Sequence, residues 1–277
     1  MNSLVNVEWL FQHLNDVRVI DCRFNLANPE EGFEQYRTGH IPGAVYFHLE
    51  QDLSSKVEKH GGRHPLPLTE QFVEKAEAVG LTNDTKIVVY DNGEGSFAAR
   101  CWWVFHYFGH EKVYILDGGF KEWLASGHPT ESKVQSFGRG EFTATIQTDM
   151  VADYKQVKEA IEHPNNEVVL IDSREEKRYL GLIEPIDKKA GHIPGAMNKV
   201  WMDTLSEGKF KSIVEQKQRF SEIEKDKQII VYCGSGITAS PNYLALKEAG
   251  YKNVKLYPGS FSDWISYEEH SVATKEK

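Results

Sequence analysis

The feature that most constrains this chain is that it repeats itself once. GHIPGA at 39–44 returns at 191–196, and VIDCR at 19–23 returns as LIDSR at 170–174. IVVYD at 87–91 returns as IIVYC at 229–233, and DGGFKEW at 117–123 returns as PGSFSDW at 258–264. Four blocks in the same order describe a duplicated domain, and 277 residues are enough for two domains of ordinary size. The spacing between copies shortens by ten residues between the first blocks and the central ones, so the first copy carries an insertion within 47–71. That stretch holds the turn-rich HGGRHPLP at 60–67. Proline, serine and glycine place the join near 130–148, giving domains over 1–135 and 150–277.

Within each copy, short β-branched runs alternate with helical stretches. Strands are predicted at 17–21, 86–90 and 113–116, and again at 168–172, 228–232 and 254–257. Helices are predicted at 96–108 and 238–249, each stopped by a glycine, Gly109 or Gly250, suited to a left-handed cap. Continuous apolar strands alternating with helices imply an α/β fold, each copy a parallel sheet with helices on both faces. Ligands in such sheets sit at the carboxyl ends of the strands. Cys233 lies just past the end of the strand at 228–232.

Comparing the two copies separates scaffold from chemistry. Asp-x-Arg and Gly-His-Ile-Pro-Gly occur in both, so His40 and His192 read as turn residues that satisfy backbone groups, with the glycines taking positive φ. Trp123 and Trp264 read as core. The loop after the central strand differs. The second copy has Cys233-Gly-Ser-Gly-Ile-Thr238, and the first has Asp91 in the cysteine's place. The chain has three cysteines, at 22, 101 and 233, with no C-x-x-C pair, which argues against a disulfide framework or a cysteine zinc site. Cys22 and Cys101 lie in apolar contexts and read as packing residues.

A strand, a loop with two glycines and a helix turn successive N–H groups inward and make an anion cradle, suited to a thiolate or persulfide on Cys233. Cysteine phosphatases need Cys-x5-Arg, whereas position 239 is alanine and the loop has no basic residue. A loop that only packs is the remaining alternative. The net charge of −9 argues against a nucleic-acid partner. No apolar run is long enough to span a bilayer, and the amino terminus lacks a basic stretch and a cleavage site, so no membrane association and a cytoplasmic location are expected.

On these motifs the chain resembles the rhodanese superfamily, specifically its tandem-domain sulfurtransferases, with an inactive first domain in which Asp91 replaces the cysteine. The resemblance implies two tandem rhodanese domains and transfer of sulfane sulfur to a thiol or other thiophile through a Cys233 persulfide. It implies a small-molecule sulfur donor, a thiol acceptor such as thioredoxin or a small thiol, and no metal or organic cofactor. CGSGIT resembles the loop of members that prefer 3-mercaptopyruvate, and members that prefer thiosulfate carry two basic residues after the cysteine. The alternatives are a thiosulfate sulfurtransferase and a non-catalytic sulfur carrier or binding module. Beside Cys233, the resemblance marks Gly234, Ser235, Gly236, Ile237, Thr238 and Arg178 as donor-binding, and Glu184, His64 and Glu50 as supporting residues. Ile186 stands where mercaptopyruvate enzymes carry a second arginine, which leaves Lys188 or Lys189 as replacements. His64 lies in the insertion, which is expected to reach the active site of the second domain.

Overall fold

The computed structural model describes residues 3–163 and 167–274. It divides into two compact units. The first comprises Met1–Ser55, Leu66–Gln147 and Glu207–Phe210, and the second comprises Lys56–Pro65, Thr148–Ser206 and Lys211–Lys277. These limits depart from the expected 1–135 and 150–277 at three points, one of them Glu207–Phe210, which belongs to the first unit, where the Phe210 N–H donates to Asp117 at 2.8 Å. The first unit runs past residue 135 because Phe142 is buried against Phe72, and the backbone N–H groups of Gly140, Thr145 and Gln147 donate to Glu77, Phe108 and Tyr107. Lys56–Pro65, inside the insertion, belongs to the second unit.

The first unit is built on a five-stranded parallel sheet. Its strand order is Leu4–Val5, Val113–Leu116, Ile87–Tyr90, Arg18–Asp21, Val45–Tyr46. Ile87–Tyr90 is buried along its whole length, as a strand covered on both faces must be. Helices Val7–His13, Glu31–Thr38 and Gly119–Ala125 close one face through Leu10, Tyr36 and Trp123. Thr69–Ala78 and Ser96–Tyr107 cover the other, where Phe72 packs on Phe105 and Phe108 at 5.0 and 4.4 Å between ring centroids. Helix Ser96–Tyr107 is buried on every side from Ser96 to Phe105, which fits a sequence apolar on all faces except at the buried Arg100.

The second unit repeats the plan with four parallel strands in the order Val254–Leu256, Gln228–Tyr232, Val168–Asp172, Met197–Asn198. One face packs Val157, Tyr257, Phe261 and Trp264 against Leu170 and Ile230. Helix Ser240–Glu248 is buried over Ser240–Leu246. Gly109 and Gly250 take the left-handed conformation expected of them, at φ 83° and 92°.

The motifs common to both copies prove to be one device. Asp21 ends its strand and accepts the Arg23 backbone N–H at 2.9 Å and the Arg23 guanidinium at 2.6 Å. Arg23 then donates to the Gly39 carbonyl at 2.7 Å, and the Tyr90 hydroxyl donates to Asp21 at 2.6 Å. Asp172, Arg174 and the Gly191 carbonyl repeat the chain of bonds at 2.7 and 2.6 Å. Each arginine lies over a phenylalanine ring, Phe120 at 4.1 Å and Phe261 at 3.9 Å. His40 and His192 bond the carbonyls of Tyr36 and Tyr179 and stack on the same tyrosine rings, so both hold turns. Gly43, Gly191 and Gly195 have positive φ as expected, but Gly39 is extended at −176° because it pairs back onto the end of its helix.

Removing Arg23 strands a fully buried carboxylate. Arg23→Ala is expected to destabilise the first unit by about 3–5 kcal/mol, measured by urea unfolding followed through tryptophan fluorescence. Lys112→Ala, which breaks an exposed pair with Asp84, should leave the midpoint unchanged.

Candidate functional site

Cys233 follows strand Gln228–Tyr232 directly and opens the loop that ends at helix Ser240–Glu248, with Pro241 in the first turn. The Gly236 N–H donates to Cys233 Sγ at 3.1 Å. Gly236 has φ +79°, and a Cβ there would collide with the Pro258 carbonyl, so only glycine turns this amide onto the sulfur. The loop is pinned from a second side. The Cys233 N–H donates to Ser260 Oγ at 3.1 Å, and the N–H groups of Phe261 and Ser262 donate to the carbonyls of Cys233 and Gly234 at 3.0 Å. Ile237 is buried, its carbonyl accepting the Ser240 N–H at 3.0 Å, and Thr238 is half-buried.

The sister loop demonstrates what this geometry holds. Asp91 occupies the cysteine's place, and its carboxylate accepts four backbone N–H groups, from Gly93, Gly95, Phe97 and Ala98, at 2.9–3.1 Å. Burial pushes the Asp91 carboxyl upward, and these donors oppose the push. The loop type is thus an anion cradle, filled in the first unit by the chain's own side chain.

Charge near Cys233 comes from outside the loop. Arg178, in the short helix Glu176–Tyr179, forks onto Glu184 through Nε at 3.2 Å and Nη2 at 2.7 Å. Arg174 Nη1 also reaches Glu184, at 3.2 Å, and the N–H groups of Ile186 and Asp187 donate to the same carboxylate. Burial raises the Glu184 carboxyl, but the bonds from Arg178 and the two amides outweigh it and hold the group below its ordinary value. Asp187 accepts from Arg178 Nη2 at 3.0 Å and pairs through its other oxygen with Arg63. Burial pushes Asp187 upward against the pull of both arginines. A Cβ built on Gly234 would lie 2.8 Å from Arg63 Nη2 and 3.7 and 3.8 Å from the Arg178 Nη atoms. The loop itself is uncharged, as expected, and two guanidinium groups lie over it: Arg178, which the sequence reading placed here, and Arg63, which it did not. Lys188 is exposed, and Lys189 donates to the His270 carbonyl at 3.3 Å.

Arg63 and His64 arrive on a segment fastened almost residue by residue. His60 bonds Ser266 Oγ at 2.7 Å and stacks on Tyr267, and the Gly61 N–H donates to Asp263 at 2.7 Å. Gly62 lies so close to Gly259 that a Cβ would collide with its carbonyl. The Arg63 N–H donates to Ser262 Oγ at 3.1 Å, and His64 Nδ1 lies 2.9 Å from Ser235 Oγ, both side chains buried. Glu50 belongs to the first unit, is exposed, and uses its backbone N–H on the His48 ring.

All three cysteines are buried free thiols, so burial alone does not single out Cys233. What differs is the neighbourhood. Burial and the adjoining Cys101 push the Cys22 thiol well up, whereas Cys233 has an amide aimed at its sulfur. Three further residues escaped the sequence reading. Ser260 holds the Cys233 amide from a left-handed backbone, φ 55°, where the first copy has Gly119 at 59°. That substitution inside a repeated block was its visible signal. Arg63 and Asp187 had no such signal, since each depends on packing remote in sequence.

The profile of the rhodanese-like domain matches the chain twice, over residues 6–126 and 153–267. The chain belongs to this family. Among relatives of the rhodanese-like chain is a Pseudomonas aeruginosa protein described as "probable 3-mercaptopyruvate sulfurtransferase", 40% identical over 94% of this chain and 93% of its own. The thiosulfate sulfurtransferase of Bos taurus is 34% identical over 95% and 92% of the two chains. The crystal structure of a 3-mercaptopyruvate sulfotransferase from Escherichia coli superposes with a TM-score of 0.85 at 35% identity, covering 95% of this chain and 100% of the other.

Gly236→Ala forces a side chain into a left-handed position against a backbone carbonyl. It is expected to destabilise the protein by about 2 kcal/mol or more, read as a lowered urea midpoint. Gly234→Ala meets closely only the guanidinium tip of Arg63 and should cost less than about 1 kcal/mol.

Proposed function

We propose that the protein is a sulfurtransferase that takes sulfur from 3-mercaptopyruvate and passes it to a thiol through a persulfide on Cys233. The observation that carries this reading is the Gly236 amide on Cys233 Sγ, with two arginines and the His64–Ser235 pair at the same loop. In the first half-reaction the Cys233 thiolate attacks the donor's sulfur. The S–S bond forms as the donor's C–S bond breaks, and the pair of electrons leaves on carbon as the enolate of pyruvate. Ser235, bonded to His64, is suited to relay the proton of the donor's thiol to the enolate carbon, which gives pyruvate and leaves the outer sulfur anionic. The product is Cys233–S–S⁻, one atom longer than the thiolate. Asp91 supports an anion of this length in this loop, because its carboxylate likewise extends one atom beyond Cγ and collects amide donors there. In the second half-reaction an acceptor thiolate attacks the outer sulfur, forms its own persulfide and releases the Cys233 thiolate.

Arg178 supports a carboxylate donor, since a guanidinium matches a carboxylate in fork geometry and Glu184 fixes its direction. The Pseudomonas and Escherichia coli relatives support the same donor. Thiosulfate is the second reading, favoured by the guanidinium pair over Gly234 and by the bovine relative. Among the described residues no helix is long and apolar enough to cross a membrane. The acceptor is proposed to be a small thiol or a dithiol protein such as thioredoxin. Three free thiols support a reducing, cytoplasmic setting.

Two measurements test the proposal. Intact mass after incubation with donor should show one added sulfur atom on wild type, on Cys22→Ser and on Cys101→Ser, and none on Cys233→Ser. With one shared acceptor, kcat/KM should be higher for 3-mercaptopyruvate than for thiosulfate, and Arg178→Ala should lower the mercaptopyruvate value by about tenfold or more, roughly the loss of one charged hydrogen bond. A sulfur adduct on Cys233→Ser overturns the nucleophile, and a higher value for thiosulfate overturns the donor.

A further inference from the structure

Position 234 is a glycine with ordinary backbone dihedrals, so its missing side chain is a matter of space. The space is used. Arg63 Nη2 and both Arg178 Nη atoms lie within 4 Å of where a Cβ would stand, one residue after Cys233. The bonds of the two arginines divide each guanidinium into a held edge and an open one. Arg63 spends Nη1 on Asp187, and Arg178 spends Nε and Nη2 on Glu184 and Asp187. Arg63 Nη2 and Arg178 Nη1 make none of these bonds, and both lie within 4 Å of the Cβ position at Gly234, as does the held Arg178 Nη2. Asp187, with one oxygen on each arginine and a nearly inaccessible side chain, fixes the spacing of the pair.

Resting on the reading of Cys233 as the sulfur carrier, we propose that Arg63 is a second donor-binding residue, gripping the donor's anionic end together with Arg178. Ile186 presents an exposed apolar side chain, so the second cation is delivered by the inserted segment. The segment's attachments at His60, Gly61, Gly62 and His64 hold Arg63 in register, so its ordering costs little when a donor binds. Arg63, Arg178, Glu184 and Asp187 bring two positive and two negative formal charges. The open edges thus offer hydrogen bonds in fork geometry without a large excess of positive charge, which suits the single carboxylate of 3-mercaptopyruvate.

The test is steady-state kinetics on wild type, Arg63→Ala, Arg63→Lys and Gly234→Ala, with product inhibition by pyruvate as a second readout. Arg63 is partly exposed, so its replacement should not disturb folding. Arg63→Ala is expected to raise KM for 3-mercaptopyruvate by about tenfold while kcat stays within about twofold, because ground-state and transition-state binding are lost together. The inhibition constant of pyruvate should weaken in parallel. Arg63→Lys should recover part of the loss, and Gly234→Ala, which pushes the Arg63 tip aside, should reproduce it with the arginine still present. Unchanged KM and unchanged pyruvate inhibition in Arg63→Ala overturn the assignment while leaving the Cys233 chemistry standing. A fall in kcat alone overturns it too, since that pattern belongs to misplacement of the loop. If wild type fails to acquire sulfur from either donor, the underlying reading falls, and the Cys233 mass measurement reports that separately.

Discussion

A buried ion pair at the end of one parallel strand organises each half of this protein. Asp21 and Asp172 are both fully buried, and each would be costly without the arginine two residues on. The pair does more than neutralise charge. Its arginine reaches a glycine carbonyl in the Gly-His-Ile-Pro-Gly turn, so the strand end and the turn are fastened through one side chain. In the second unit the same arginine has a further task. Arg174 shares Glu184 with Arg178, and Glu184 also collects the amides of Ile186 and Asp187. The scaffold's ion pair is therefore continuous with the charges beside Cys233. A displacement of Arg174 would be felt at Arg178 through one shared carboxylate.

The two copies differ at the residue that the loop surrounds. In the first unit the cradle is closed by its own aspartate, which satisfies four amides and leaves no place for an external anion. In the second, the cysteine sulfur accepts one amide, from Gly236. Duplication supplied the same strand, loop and helix twice, and the side chain that opens the loop decides whether the cradle is filled by the chain's own carboxylate. Ser260 follows the same pattern. It adopts the left-handed backbone that Gly119 adopts without strain, and the hydroxyl it gains anchors the Cys233 amide.

Much of this was legible in the sequence, and the limits of legibility have a physical cause. The strands were readable because fully buried parallel strands are written as unbroken β-branched runs, and Gly109 and Gly250 because a left-handed cap favours glycine. The two-residue edge strands Val45–Tyr46 and Met197–Asn198 were not, since strands so short carry no periodicity and form only by pairing with Asp21 and Asp172. Arg178 and Glu184 lie six residues apart, and a family pattern reaches that far. Arg63 and Asp187 lie 124 residues apart, and nothing local announces their pairing. Reading charge along the loop after Cys233 could not find Arg63, because electrostatics follow distance in space.

The glycine at 234 unites these observations. A loop can acquire positive charge by carrying basic residues itself, or by remaining small enough for basic residues from elsewhere to approach. Charges on the loop's own side chains would be tethered where the reacting sulfur is and free to sample many rotamers. Charges brought from the 60–64 segment and from Glu176–Tyr179 are instead fixed by carboxylates that take up one edge of each guanidinium. Fixing the orientation before a donor arrives lowers the entropy lost on binding and leaves a defined set of N–H directions. The cost is that the site depends on a ten-residue insertion folding onto the second unit, and the dense attachments from His60 to His64 are what such a dependence requires. An insertion that merely lengthened a surface loop would have no reason to place two abutting glycine backbones, Gly62 and Gly259, where neither tolerates a side chain.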